Sequence, residues 1–170
     1  MSETMGWEGR FLEDFTVGDI YHHPIGRTVL DADNSWFTLL TQNTARVHFD
    51  HHYAASGSFG KQLVNSCFTL ALVTGQSVID VSHNVMANLG WDKVRLPNPV
   101  FVGDTIYSSS RVLVARDSAS RPDVGLVEVE TRGYNQEGAT VITFRRMLLV
   151  YRRGCSPAGQ RPVTKFDPLS

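Results

Sequence analysis

The sequence predicts an α+β fold in which one antiparallel sheet wraps a single long central helix. Two features carry this expectation. The stretch Ser66 to Val81 is apolar on every side, with Cys67, Phe68, Leu70, Ala71, Leu72, Val73, Val78 and Ile79 interrupted mainly by Thr, Ser, Gln and Gly75. A helix of that kind must be enclosed. The segments after Val85 read as strands joined by hairpin-type links, which is the pattern of an antiparallel meander. The dimensions agree as well, because the rod is roughly 24 Å long at helical rise and a strand of about seven residues spans the same distance.

Residues 1 to 14 show no period and read as an extended arm. Two short apolar pieces follow between Phe15 and Leu30, around Val17-Gly18-Asp19 and His22-His23-Pro24; the second ends in the strand-like Arg27-Thr28-Val29-Leu30, and Pro24 confines it to an edge or turn. Asp31, Asp33, Asn34 and Ser35 supply helix-capping chemistry ahead of Trp36, Phe37, Leu39 and Leu40, so a helix is expected from Asn34 to Gln42. A polar loop with Asn43 and His48, a short turn opened by Asp50 and a Phe59-Gly60 turn lead to the central rod.

Beyond the rod, Val85 to Trp91 alternates as a half-buried strand. Pro97, Pro99 and Gly103-Asp104 bracket the short apolar run Val100-Phe101-Val102. Thr105 to Arg116 reads as a long strand, and Val127 to Tyr134 alternates most clearly of all. Asn135 to Gly138 is a hairpin turn, with the returning strand over Ala139 to Tyr151. The chain of 170 residues is expected to form one domain, residues 1–170, with its core over about 15–153 and a Pro- and Gly-bearing tail over 154–170.

Charged residues make up 19% and the net charge is -1, so no general field draws nucleic acid or an anionic membrane. An anionic ligand has to be held by local Arg or Lys. The start lacks the basic and apolar regions of a secretory signal, and Cys67 and Cys155 fit a reducing compartment, so a cytoplasmic location is expected. His48, Asp50, His51 and His52 lack the spacing of a zinc motif, and no metal is expected. Gly57-Ser58-Phe59-Gly60 is not a nucleophile elbow, and no glycine-rich phosphate loop is present.

Three ordered segments resemble the MaoC-like, R-specific enoyl-CoA hydratases: Val17-Gly18-Asp19 with Arg27-Thr28-Val29 and the Asp31 to Phe37 helix start; the loop into His48 with Ala54-Ala55, Phe59-Gly60 and Leu63-Val64-Asn65-Ser66; and Val94-Arg95-Leu96 with Pro99 to Thr105. The resemblance implies a single hotdog fold, an acyl-CoA thioester substrate, no cofactor beyond the CoA of that substrate, and a homodimer or higher homo-oligomer. Asn-Thr-x-x-aliphatic-His-Phe, Leu-Val-Asn-Ser and Asn-Leu-Gly-Trp are most similar to the branch that hydrates branched dicarboxylyl-CoA thioesters of the mesaconyl or itaconyl type. The family motif Asp-x-Asn-Pro-aliphatic-His aligns on His48, which puts Asn43 at the acid, Ala45 at the Asn and Arg46 at the Pro. Asn65-Ser66 stand where a His-Gly pair is usual.

Hydration of a conjugated thioester needs a base for water, a proton for the α-carbon and donors for the developing enolate oxygen. His48 is the expected base, with Asn43 orienting water through its carbonyl, since an amide cannot exchange the proton itself. Asp50 and Asp33 are the nearest spare carboxylates, with Asp50 read as a helix cap. Ser66 and Cys67, at the amino end of the rod, are expected to offer N–H groups to the oxyanion, with Asn65 as cap, substrate contact or both. Arg46 is either a partner for a free acyl carboxylate or a solvated loop cation. Two other readings stand beside hydration. A hotdog thioesterase would commonly need a carboxylate on or near the central helix, and none lies between Ser66 and Ile79; the other is a non-catalytic acyl-CoA-binding subunit.

Overall fold

A computed structural model describes residues 6–157. It has the hotdog arrangement. Strands β1 (Ile20–His22), β2 (Arg27–Thr28), β3 (Val85–Arg95), β4 (Thr105–Asp117), β5 (Val124–Tyr134) and β6 (Thr140–Tyr151) form one antiparallel sheet. Its order is β1-β4-β5-β6-β3, with β2 on β4. Helices α1 (Asp31–Leu40), α2 (His51–Ala55) and α3 (Ser66–Gln76) precede the long strands, and a π-helical turn over Val78–Ser82 continues α3 toward β3. The expected tail lies outside the described residues from 158 onward.

Helix α3 faces the sheet through Thr69 and Val73, followed by Ser77 and Val81, four residues apart and buried. Val73 sits over Gly133 of β5, where an added Cβ would meet a Val73 methyl at 2.7 Å. The missing side chain is what lets helix and sheet approach so closely. The expectation of a fully enclosed rod does not hold for the chain alone: Cys67, Ala71, Gly75, Val78 and Ile79 are exposed on the outer side. The sheet covers one of the two apolar faces of the rod.

Helix α1 begins three residues before its expected start, because Asp33 at the third helical position accepts the Leu30 N–H at 2.9 Å. It buries Asn34 and Thr38 and exposes Trp36, Leu39 and Leu40, the reverse of a usual surface helix. From residue 6 onward the amino-terminal segment is packed onto the fold. Phe11, Leu12 and Phe15 are buried, and the Trp7 indole donates to Ile79 O at 3.1 Å.

Two apolar clusters fill the core, one around Val112, Val129 and Leu148, the other around Ile106, Ile142 and Phe144. Between them runs a polar seam. On the inward-facing positions Ser108 and Ser110 follow Ile106 on β4, Thr131 follows Val129 on β5, and Arg146 follows Phe144 on β6. His23 crosses the seam, bonding Asp80 Oδ2 through Nδ1 and Ser110 Oγ through Nε2, both at 2.9 Å. A carboxylate only accepts, so Nδ1 carries the proton and Nε2 accepts from Ser110. Asp80 also takes Arg10 at 3.0 Å. Arg146 donates to Ser77 Oγ at 2.9 Å, has no carboxylate partner among the described residues, and is pushed down to about 10 by burial.

Burial lowers the His23 pKa below its ordinary 6.5; the hydrogen bond and charge of Asp80 oppose this, and the positive charges of Arg146 and Arg10 add to it. Below 6.5 the unfolded ring takes a proton that the folded ring refuses, so the unfolded chain binds more protons and stability falls as pH falls. Urea midpoints measured on either side of 6.5 should therefore drop on the acid side. In His23→Asn, which cannot titrate, that part of the slope should vanish, and an unchanged slope would show that another group produces it.

Candidate active site

The amino end of α3 faces a cavity of about 510 Å³ whose wall includes His48, Phe59, Ser66, Thr69, Asn98 and Val100. A larger groove of about 590 Å³ lies at the other end of α3, lined largely by Trp7, Ile25, Leu72, Val78 and Ile79. It is bigger but almost wholly apolar, whereas the smaller cavity brings an imidazole and a helix amino terminus together.

His48 ends a one-turn 3-10 helix, Arg46–His48, and its Nδ1 lies 3.0 Å from Leu63 O. A carbonyl oxygen can only accept, so Nδ1 bears the proton and Nε2 keeps the lone pair in the neutral ring. Nε2 has no protein partner among the described residues. The segment carrying Leu63 is itself fixed: Val64 N–H donates to Val100 O at 2.9 Å, and Leu63 bridges Phe101. The wall holding the imidazole is therefore anchored to the loop that closes the far side.

Asn65 caps α3, its Oδ1 accepting the Cys67 N–H at 2.9 Å. This corrects the expectation for Cys67, whose N–H is already used. Ser66 N–H has no acceptor among the described residues and stands at the positive end of the helix. Asn65 is buried at 2% exposure, which gives it the capping role and leaves Ser66 facing the cavity.

Two other expected site residues lie elsewhere. Asn43 Oδ1 accepts the Ala45 N–H at 2.9 Å, an Asx turn that shapes the loop leading to His48, and Asn43 is not on the cavity wall. Arg46 donates through Nε and Nη2 to Asp50 Oδ2 at 2.9 and 2.6 Å and stacks over Tyr53, 4.5 Å from the ring centroid. Its guanidinium is held against α2 rather than turned to the cavity. Asp50 accepts the Tyr53 N–H, and that bond together with the Arg46 pair lowers its pKa. Asp33 is likewise engaged: partial burial raises its pKa, but Arg27 and the Leu30 N–H outweigh that and lower it. No Asp or Glu lines the cavity among the described residues.

Two residues beside the cavity, neither of them on its wall, were not picked out from the sequence in these roles. Asn34 of α1, at 0% exposure, bonds the backbone of both the His48 turn and the Leu63 segment. Lys61 rests its ammonium 3.9 Å from the Phe101 ring centroid, and Phe101 meets Phe59 of the cavity wall edge-on at 6.3 Å. In the sequence Asn34 was one of four polar residues at a helix start, Asp31, Asp33, Asn34 and Ser35, and nothing local set it apart.

The family model for mesaconyl-CoA hydratase matches residues 2–164. A mesaconyl-CoA hydratase of Cereibacter sphaeroides is 30% identical over 154 residues, covering 91% of this chain and 45% of that protein. A β-methylmalyl-CoA dehydratase of Chloroflexus aurantiacus is 31% identical over 157 residues, covering 84% and 44%. The chain thus spans less than half the length of these curated relatives. Among solved structures, a MaoC-domain dehydratase of Chloroflexus aurantiacus superposes with a TM-score of 0.84 at 28% identity, over 95% of this chain and 46% of that one. A monoamine oxidase regulatory protein of Archaeoglobus superposes at 0.76 and 29%, over 87% and 99%. With the fold, the histidine-bearing cavity and a model match over nearly its whole length all agreeing, the chain belongs to the mesaconyl-CoA hydratase family.

Proposed function

We propose that the chain is a hydro-lyase that adds water across the double bond of a 2-enoyl-CoA thioester, and removes it in reverse, with a branched dicarboxylyl-CoA of the mesaconyl type as substrate. The observation that carries this reading is the single cavity shared by His48, with its Nε2 lone pair free, and the Ser66 end of α3. Nε2 takes a proton from water as the oxygen bonds to the β-carbon. The π electrons shift to form an enolate whose oxygen lies at the Ser66 N–H, and the imidazolium returns the proton to the α-carbon on the same face. One imidazole then serves both proton transfers, which fits a cavity without a carboxylate.

The thioesterase reading loses support from Asp80. It is the carboxylate next in sequence after α3, and it is bound to His23 and Arg10 at the opposite end from the cavity. For the free carboxylate of the acyl group, Arg46 is already committed to Asp50, and Lys61 is the cation we assign. We also propose that the chain pairs with a second copy of itself. Its relatives are about twice as long, the edge strand β3 exposes Leu89 and Trp91, and the outer face of α3 is uncovered. An open edge of that length invites pairing.

His48→Ala should lower hydration of mesaconyl-CoA by about 10²- to 10⁴-fold, read from the loss of conjugated thioester absorbance. Full retention would remove His48 from the chemistry. Asn43→Asp should leave the rate nearly unchanged, since a carboxylate still accepts the Ala45 N–H. Lys61→Ala should raise KM for mesaconyl-CoA more than for crotonyl-CoA, whereas Arg46→Ala should not discriminate between them; the opposite pattern would return the carboxylate to Arg46. Light scattering should give at least twice the 18.9 kDa chain mass, and a single-chain mass would count against self-pairing.

A further inference from the structure

We propose that Asn34 is a positioning residue for His48, setting both its tautomer and its placement relative to the amino end of α3. The proposal rests on His48 being the base, and it adds how that base is held. The Asn34 side chain makes three hydrogen bonds. Nδ2 donates to His48 O at 2.7 Å and to Leu63 O at 2.9 Å, and Oδ1 accepts the Asn65 N–H at 2.9 Å. Leu63 O is also the acceptor that fixes His48 Nδ1. One amide therefore joins the backbone of the base, the carbonyl that selects the base's tautomer, and the residue that caps the oxyanion helix.

The chemistry of the position calls for an amide. Two carbonyls need two donors, and one N–H needs an acceptor. Asparagine supplies all three from one short side chain, whereas a carboxylate has no donor and a hydroxyl only one. Burial makes the demand strict at the Asn65 N–H, which has no other acceptor among the described residues. Helix α1 is oriented toward this contact, with Phe37 meeting Phe68 edge-on at 5.7 Å as its apolar contact to α3. It turns Asn34 and Thr38 inward while Trp36, Leu39 and Leu40 stay exposed. Gln62 reinforces the same point by donating from Nε2 to His48 O. A partner of this kind acts through the group it orients, as outer-shell residues do around metal-bound histidines.

The test is nitrogen NMR of the His48 ring together with steady-state hydration of mesaconyl-CoA. In the unmodified protein the ring should show the Nδ1–H tautomer; an Nε2–H tautomer would overturn the proposal without any variant. Asn34→Asp keeps the acceptor for Asn65 and loses both donors. It should lower kcat by roughly 10- to 100-fold with little change in KM, and the His48 signals should move toward a tautomer mixture. Wild-type kcat and wild-type tautomer in Asn34→Asp would overturn it, as would a fall in kcat that leaves the tautomer untouched, since that pattern is what loss of stability alone produces. If His48→Ala retains activity while Asn34→Asp shifts the tautomer, the base assignment has failed and the geometric linkage has not.

Discussion

The seat of Val73 over Gly133 is the contact on which the rest of the structure depends. Helix α3 can bring its amino end to a fixed point only if its axis is held at a fixed height and rotation above the sheet. In the carboxyl half of the helix, at Val73, that height is set by a residue without a side chain. A Cβ there would collide with Val73 and with Ile142, at 2.7 and 2.8 Å. Lifting the helix would move Asn65 and Ser66 away from the wall that carries His48, and the cavity would lose one of its two sides.

Height alone does not stop a helix from sliding. Two clusters of Val, Leu, Ile and Phe are tolerant of small translations, because dispersion contacts are individually weak and largely undirected. The polar seam between them is directional. Gln76 accepts from Ser108 and donates to Ile106 O at 2.8 and 2.7 Å, Arg146 reaches Ser77, and His23 links the π-helical turn at Asp80 to Ser110 of β4. Each bond tolerates only a few tenths of an ångström, so the carboxyl half of α3 is registered on β4 and β6. Burying these groups costs desolvation, visible in the lowered values of His23 and Arg146, and the structure gains a single position for the helix in return.

The same economy of polar groups shapes the cavity end. Nearly every side chain there that can bond already does so locally: Asn43 with Ala45, Arg46 with Asp50, Asp33 with Arg27, and Asn65 with Cys67. The loop is therefore shaped by bonds among its own residues. Among the described residues His48 Nε2, an acceptor, and the Ser66 N–H, a donor, have no protein partner, and both residues line one space. A site that has committed its other polar atoms to its own shape presents incoming substrate with few choices of orientation.

Much of the fold was legible from the chain itself. The alternation in Val127 to Tyr134, the Asn135 to Gly138 turn and the long apolar rod are local periodicities and turn chemistry, and the strands and α3 fall where those signals place them, with ends moved by a few residues. His48 and Ser66, read from residue types in an ordered pattern, lie on the wall of one cavity, and Asp50 was legible as a cap. What the chain by itself could not decide was which of several polar groups near one another in sequence remain free. Asn43, Arg46 and Cys67 were all reasonable as site residues, and each is occupied by a neighbour only a few positions away. Asn34 was hidden for the opposite reason, since its partners His48, Leu63 and Asn65 lie 14 to 31 positions along the chain. Secondary structure is written in short-range sterics and periodicity, so sequence determines it. Whether a given donor or acceptor is spent or available is settled only when distant segments meet and water is excluded, and that is what the tertiary structure decided.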